Sequence, residues 1–146
     1  MHFTPEYILA VETALDTVGT RCENAIEGHL LLRLDKAASG PDTLVFSATA
    51  QGWMANIGGI LHGGMAALLL DEVMGCAANS MKVGQAIAPT VQMQLNYHRP
   101  VPVDTPLSIF LRCVSQTRHL IHLNAEICLA GDTTPLVSAA ATFYNK

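Results

Sequence analysis

The sequence predicts an α+β fold in which an antiparallel sheet of about six strands wraps around one long buried helix. A segment in the middle of the chain, Met65–Met74, is apolar on nearly every side, which is typical of a helix without a solvent-facing surface. Segments with the two-residue alternation of strands lie on both sides of that helix. The predicted order is a short amino-terminal helix, two strands, the central helix and four strands.

Length and composition favour one domain, residues 1–146, that associates with further copies of itself. The chain has 146 residues, of which 50% are hydrophobic and only 14% are charged. A small domain usually carries more charge than this on its surface. We therefore expect at least a homodimer, in which part of the surface is covered.

The elements before the central helix follow from local signals. Pro5 suits the first turn of the amino-terminal helix, and Gly19 suits its end. Two strands are predicted at Gly28–Asp35 and Thr43–Ala50, and the turn between them makes a hairpin the expected arrangement.

The central helix is predicted to start at His62 or Gly63 and to run to about Ala78. The four strands that follow are predicted at Ala88–His98, Leu107–Val114, Leu120–Leu129 and Leu136–Tyr144. Pairing of two copies side by side would extend the sheet and remove one exposed edge.

Charge, hydropathy and cysteine usage exclude several classes of function. The net charge is −4 with no block of Lys and Arg, so we expect no nucleic-acid partner. No apolar stretch reaches the ~20 residues of a membrane span, and no signal peptide is evident. His119 and His122 point to different faces and lack a third ligand, so no metal site is predicted. Without a CxxC pair or zinc spacing, four reduced thiols favour a cytoplasmic location; they are Cys22, Cys76, Cys113 and Cys128.

The informative segment is the glycine-rich stretch from Asn56 to Gly64, followed by Asp71. Glycines before a helix let the backbone approach a ligand, and the helix amino terminus offers free N–H groups to a developing oxyanion. Asp71 lies two turns into the apolar helix, where it could serve as a general base or a nucleophile. The alternative interpretation is a glycine-rich turn with a structural helix cap.

The pattern N-x-x-G-x-x-H-G-G over Asn56–Gly64, followed by the acidic Asp71, resembles the hotdog-fold thioesterases of the phenylacetate-degradation (PaaI-like) type, within the 4-hydroxybenzoyl-CoA thioesterase superfamily. The resemblance extends from about residue 25 to residue 146. The stretch Pro89–Pro100 is similar to that family's long strand. The fold implied is the hotdog, with a sheet around a central helix.

The resemblance implies an acyl-CoA thioesterase that hydrolyses an aromatic or medium-chain acyl-CoA, with active sites shared across a homodimer and dimers that often pair into tetramers. In that reaction the Gly63 N–H polarises the thioester carbonyl, and Asn56 orients the thioester or the nucleophile. Asp71 comes from the partner subunit and either activates water or attacks directly. Thr90 helps to hold the water, and His62 holds the loop or contacts the thioester.

Two departures from the family's pattern affect these expectations. Residue 59 is Gly where relatives often carry Thr or Ser, which removes a hydroxyl and is expected to loosen the loop. Glu72 directly follows Asp71, and one step along a helix rotates a side chain by about 100°. Only one of the two can face the site, so Glu72 is expected to form a structural salt bridge.

The remaining substrate contacts are predicted from residue type and position. Coenzyme A is expected only as part of the substrate and product, and no metal or redox cofactor is required. Cations are needed for its phosphates, and Trp53 and Met54 either line the acyl pocket or pack in the core. The predicted binding residues are Gly64, Arg99, Arg118, Lys82, Trp53 and Met54.

The amino-terminal helix is either a lid over the pocket or a surface cap. The alternative functions are a non-catalytic acyl-CoA or small-ligand binding module and a hotdog acyl-thioester dehydratase or hydratase.

Overall fold

The computed structural model describes residues 2–21, 25–81 and 87–145. The helices and strands follow one another in the predicted order, and short 3-10 turns lie at Ile26–His29 and Gly52–Met54. The elements are α1 (Pro5–Arg21), β1 (Arg33–Leu34), β2 (Leu44–Ala50), α2 (Gly63–Met81), β3 (Thr90–Tyr97), β4 (Thr105–Gln116), β5 (Leu120–Leu129) and β6 (Val137–Tyr144).

The six strands form one sheet in the order β1-β2-β4-β5-β6-β3, and every neighbouring pair is antiparallel. The sheet's inner face carries large apolar side chains such as Phe46, Ile109 and Ile127, none of them exposed. Helix α2 contacts β3, β4, β5 and β6. The predicted α+β hotdog fold, an antiparallel sheet around a central helix, is confirmed.

Helix α2 is held by apolar burial rather than by polar contacts. Leu69, Leu70, Val73 and Met74 are all fully buried, as an apolar helix against a sheet requires. Burying each such side chain contributes about 1.5–3 kcal/mol. The helix continues three residues beyond the predicted end, to Met81, and neither α-helix of the described residues is long and apolar enough to cross a membrane.

Helix α1 packs on the outer side of α2. The Tyr7 hydroxyl donates to the Ala77 carbonyl at 2.7 Å, and Phe3 stacks on Tyr7 with ring centroids 5.1 Å apart. Burial raises the pKa of Tyr7. Within one chain α1 is therefore a cap over the back of α2.

The predicted first strand, Gly28–Asp35, is largely wrong. Only Arg33 and Leu34 pair with β2, although that pairing is the antiparallel hairpin expected. The preceding residues turn instead, because Leu30 is fully buried while the next residue, Leu31, has a φ of 54° and is 60% exposed. A left-handed residue interrupts an extended strand.

Strand β3 forms one edge of the sheet and pairs on one side only, with β6. Its residues are exposed or half-buried along its whole length, in contrast to those of β5. A long edge strand presents a row of unpaired N–H and C=O groups that another strand can use.

Candidate active site

The glycine-rich loop closes on itself through Asn56. The Asn56 N–H donates to the Ile60 carbonyl at 2.8 Å, and the Gly59 N–H donates to the Asn56 carbonyl at 3.0 Å. The side-chain Oδ1 of Asn56 accepts the N–H groups of Gly58 at 2.8 Å and of Ile60 at 3.4 Å. Its Nδ2 has no acceptor among the described residues, so the amide keeps a donor for a ligand.

Gly59 lies in a left-handed turn of this loop, and the expected loosening of the loop stays a prediction. Its φ is 73°, a left-handed conformation that glycine adopts without strain and Thr or Ser does not. The hydrogen bonds of Asn56 hold the loop on both sides of Gly59. Glycine therefore fits this turn without the strain that Thr or Ser would have, although it lacks the hydroxyl that the family's pattern often supplies.

The first turn of α2 is held by His62. Its Nδ1 accepts the Gly64 N–H at 3.0 Å, and its carbonyl accepts the N–H groups of Met65 and Ala66. The Gly64 amide, expected to bind substrate, is thus committed to His62. The Gly63 N–H has no acceptor in the described part of the chain and lies at the positive end of the helix dipole.

A cavity of about 340 Å³ opens beside Gly63. Its polar lining includes three of the predicted residues, Asn56, Gly63 and Arg99. The apolar lining is made by Ile60, Leu61, Ala66, Val101 and Val137. An apolar cleft with a few polar groups at one place is typical of a small-ligand site.

The Asp71 carboxylate forms a second polar cluster. The Thr90 hydroxyl donates to Asp71 Oδ1 at 2.9 Å, so the structure brings these two predicted residues together within one chain. Asp71 is half-buried, and neither residue lines the cavity beside Gly63. Asp71 lies eight positions after Gly63 in the helix, about 12 Å along the axis. One chain therefore holds the predicted catalytic residues in two separate groups.

Glu72 faces away from both groups. It lines a cavity of about 430 Å³ with residues of α1 and of the segment after it, among them Leu15 and Glu27. Burial raises the pKa of Glu72, and the Cys76 thiol donates to its Oε1 at 3.4 Å. The ion pairs among the described residues do not include Glu72. Within that part of the chain, the prediction of a salt bridge for Glu72 is therefore wrong.

The other predicted binding residues are scattered. Met54 is 1% exposed and belongs to the core, so the core-packing interpretation applies to it. Trp53 is 51% exposed and lines a small cleft with Ile26, away from the cavity beside Gly63. Arg118 is exposed in the turn between β4 and β5, and Lys82 lies outside the described residues.

Sequence reasoning missed Tyr97. Its hydroxyl donates to the Gly63 carbonyl at 2.9 Å, and its ring lines the cavity. A Cβ added to Gly63 would lie 3.3 Å from the Tyr97 hydroxyl oxygen. In the sequence, the alternation of β3 identified Tyr97 only as an apolar position. Its place at the end of the strand, two residues before Arg99, was the signal that could have linked it to the site.

The histidines of the sheet have hydroxyl partners rather than metal-binding neighbours. His98 Nε2 lies 2.8 Å from the Ser138 hydroxyl, and His122 Nδ1 lies 3.0 Å from that of Thr142. Within residues 2–21, 25–81 and 87–145 no three His, Cys, Asp or Glu side chains are grouped to hold a metal ion. A metal-independent site stays a prediction.

Comparison with known proteins defines the class. A model of the thioesterase superfamily matches residues 58–136, more than half of the chain, which therefore belongs to that superfamily. The matched region contains Gly63, Asp71 and Thr90. Among curated proteins no match was found.

Solved structures of thioesterases share the fold. Zebra fish thioesterase superfamily member 2 has a TM-score of 0.78 at 18% identity, covering 95% of this chain and 98% of its own. A mutant of the phenylacetic acid degradation protein PaaI from Thermus thermophilus has a TM-score of 0.68 at 18% identity, with 82% and 96% covered. A hypothetical thioesterase from Streptococcus pneumoniae, solved with coenzyme A, has a TM-score of 0.66 at 22% identity, with 77% and 86% covered. These TM-scores establish the hotdog fold, and the family match confirms the resemblance to the hotdog thioesterases, with a PaaI protein among the structural neighbours.

Proposed function

We propose that this protein hydrolyses an aromatic or medium-chain acyl-CoA to the free acid and coenzyme A. The observation that carries the proposal is the Gly63 N–H, which has no acceptor among the described residues and belongs to a residue that lines a largely apolar cavity at the start of α2. The Asn56 side chain, with its Nδ2 donor, lies in the lining of the same cavity. Two donors beside an apolar cleft suit a thioester carbonyl whose oxygen gains charge in the transition state.

The reaction proceeds by attack on the carbonyl carbon of the thioester. Either water attacks as the Asp71 carboxylate takes its proton, or the carboxylate attacks and water then hydrolyses the anhydride. In both routes the carbon–sulfur bond breaks, the acyl group leaves as the acid and the coenzyme A thiolate takes up a proton. The Gly63 N–H stabilises the oxyanion, and Thr90 holds Asp71 or the water in place.

The separation of the two groups supports an active site shared between subunits. Gly63 contacts Tyr97 at one end of β3, whereas Asp71 binds Thr90 at the other end. Antiparallel pairing of β3 with its copy, about a two-fold axis at Met93 or Gln94, places opposite ends of the strand together. Asp71 of the partner subunit then faces Gly63 of the first.

The same pairing supports a shared binding site for the coenzyme A phosphates. Arg99 lies at the cavity beside Gly63, and Arg118 lies near the start of β3, since Asn145, which follows β6, donates to the His119 carbonyl. In a dimer, Arg99 of one chain and Arg118 of the other reach the same end of the sheet. The pneumococcal structure solved with coenzyme A supports this ligand.

Association beyond the dimer and cellular location are also proposals. The outer face of the sheet is polar with few charges, with Arg112 and Glu126 3.8 Å apart, which suits contact between two dimers in a tetramer. Cys76 and Cys128 are free and buried, which suits a reducing cytoplasm.

Thiol release across a panel of aromatic and straight-chain acyl-CoAs tests the activity. We expect turnover of at least one substrate, and a loss of about 10²–10⁴-fold in Asp71→Asn, as for a removed acid–base group. A wild type that binds coenzyme A but turns over nothing would make the protein a binding module. Hydration of an enoyl-CoA in place of thiol release would make it a hydratase.

Mixing two inactive variants tests the shared site. Asp71→Asn and Asn56→Asp are each expected to be inactive alone, but a heterodimer of the two contains one site with both residues intact. A statistical mixture of dimers should therefore recover about a quarter of wild-type activity. If Asp71 and Asn56 of the same chain acted together, mixing would restore nothing.

A further inference from the structure

Tyr97 joins the end of β3 to the first residue of α2. Its hydroxyl donates to the Gly63 carbonyl at 2.9 Å, over a separation of 34 residues in sequence. The ring packs closely on the Gly63 backbone, since a Cβ at this residue would lie 3.4 Å from Tyr97 Cε1 and Cζ. The strand end and the helix start are thus in direct contact.

A helix that begins with two glycines needs such contacts. Gly63 and Gly64 have more backbone freedom than other residues, so an isolated first turn would sample many orientations. His62 restricts the turn from one side by accepting the Gly64 N–H. Tyr97 restricts it from the other side through the Gly63 carbonyl.

We propose that Tyr97 is a positioning residue for the reaction, which fixes the first turn of α2 so that the Gly63 N–H points at the thioester carbonyl. The inference rests on the proposed thioesterase function. Oxyanion donors act at 2.7–3.1 Å from the charged oxygen, and a displacement of about 1 Å can cost about 10²-fold in rate. A contact that limits rotation of this turn therefore acts on catalysis through Gly63.

The stability of the fold depends little on this hydrogen bond. Tyr97 is 58% exposed in the single chain, and one hydrogen bond from a neutral hydroxyl contributes only about 1 kcal/mol net to folding. Removal of the hydroxyl should consequently leave the protein folded and change the geometry at Gly63. A change in kcat would then report positioning rather than unfolding.

The chain offers a matched control in Tyr7. Its hydroxyl donates to another α2 carbonyl, that of Ala77, at 2.7 Å. Ala77 lies near the opposite end of α2, and Tyr7 does not line the cavity. Tyr7→Phe thus removes the same kind of bond from the same helix without touching the proposed site.

The experiment compares wild type, Tyr97→Phe and Tyr7→Phe by steady-state kinetics and by amide hydrogen exchange. For Tyr97→Phe we expect kcat to fall about tenfold with KM within about twofold, since the ring that lines the cavity is kept. Exchange at the amides of Met65 and Ala66, in the first turn of α2, should become faster. Tyr7→Phe should keep kcat and leave that exchange unchanged.

Each outcome decides the inference. An active wild type with an unchanged kcat in Tyr97→Phe overturns it, even if exchange at the first turn rises, because the contact is then only structural. A higher KM at constant kcat overturns it too, since Tyr97 then acts as a binding contact. A wild type without thioesterase activity refutes the proposed function itself, and the role of Tyr97 in catalysis with it.

Discussion

The proposed function gives the Asn56 side chain two roles, and a single substitution would separate them. Its Oδ1 accepts the N–H groups of Gly58 and Ile60 and so holds the loop, while its Nδ2 is the proposed donor to the thioester. Aspartate has the same shape and keeps the acceptor oxygen, but it has no N–H to donate. Asn56→Asp should therefore preserve the loop and remove the donor, whereas Asn56→Ala removes both.

The expected magnitudes differ for the two variants. Loss of one oxyanion donor costs about 10²–10³-fold in kcat, and the negative charge of Asp beside the oxyanion adds to the loss. Stability should change little in Asn56→Asp. In Asn56→Ala one good and one long hydrogen bond are lost from a half-exposed loop, about 1 kcal/mol together. For a domain of this size that lowers Tm by about 2–4 °C.

The assay is thermal unfolding of wild type and both variants, followed by thiol release with the best acyl-CoA. Asn56→Asp with wild-type kcat would show that Nδ2 makes no contact with the reacting group. Asn56→Asp with a Tm as low as that of Asn56→Ala would show that Oδ1 does not hold the loop through these bonds. Either result refutes the inference that Oδ1 of Asn56 holds the loop while Nδ2 donates to the thioester.

Two further predictions concern Glu72 and the β3 edge. Burial raises the pKa of Glu72 in the folded state above its ordinary value of 4.5. Protonation of Glu72 therefore contributes fully to the free energy of unfolding below pH 4.5, and this contribution is lost as the pH rises through the folded-state pKa. Glu72→Gln should therefore have a higher Tm than wild type at pH 7, with the difference vanishing near pH 4; an unchanged difference would contradict the burial argument. If β3 pairs with its copy, Met93→Cys or Gln94→Cys should form a disulfide-linked dimer on oxidation, because opposed residues of antiparallel strands lie about 4.5–5.5 Å apart at Cα. The control Ala37→Cys, exposed in the turn between β1 and β2 at the opposite edge of the sheet, should stay unlinked, and absence of a link in both edge variants would exclude this interface.

The sequence predicted the parts of the protein that depend on local pattern. Helix α2 was predicted from an apolar run that is not found in a strand or in an exposed helix. Its start was predicted from Gly63 and Gly64. The family resemblance drew attention to Thr90 as a residue that holds water, and the structure places its hydroxyl 2.9 Å from Asp71 Oδ1 of the same chain. The strand bounds after α2 were correct within about two residues, the usual reach of boundary signals.

The parts that were missed depend on contacts between distant residues. Leu30 and Leu31 have the same side chain, and only tertiary packing decides that the first is buried and the second is exposed in a left-handed turn. Glu72 looked like one half of a salt bridge, but its hydrogen-bond partner is the thiol of Cys76, one helical turn away. Neither fact can be obtained from periodicity, because burial of one residue is set by residues of other elements.

The placement of Tyr97 and Thr90 at opposite ends of β3 has a consequence for the whole molecule. Each end of the strand contacts one group of proposed catalytic residues: Gly63 through Tyr97, and Asp71 through Thr90. Because a two-fold axis across an antiparallel edge always joins unlike ends, the proposed β3 pairing would complete two sites at once and would leave none complete in a monomer. Strand β3, which forms the exposed edge, would thus make the dimer contact and would also align the proposed catalytic residues of the two chains. Dimerisation and catalysis are then expected to fail together when β3 pairing is broken.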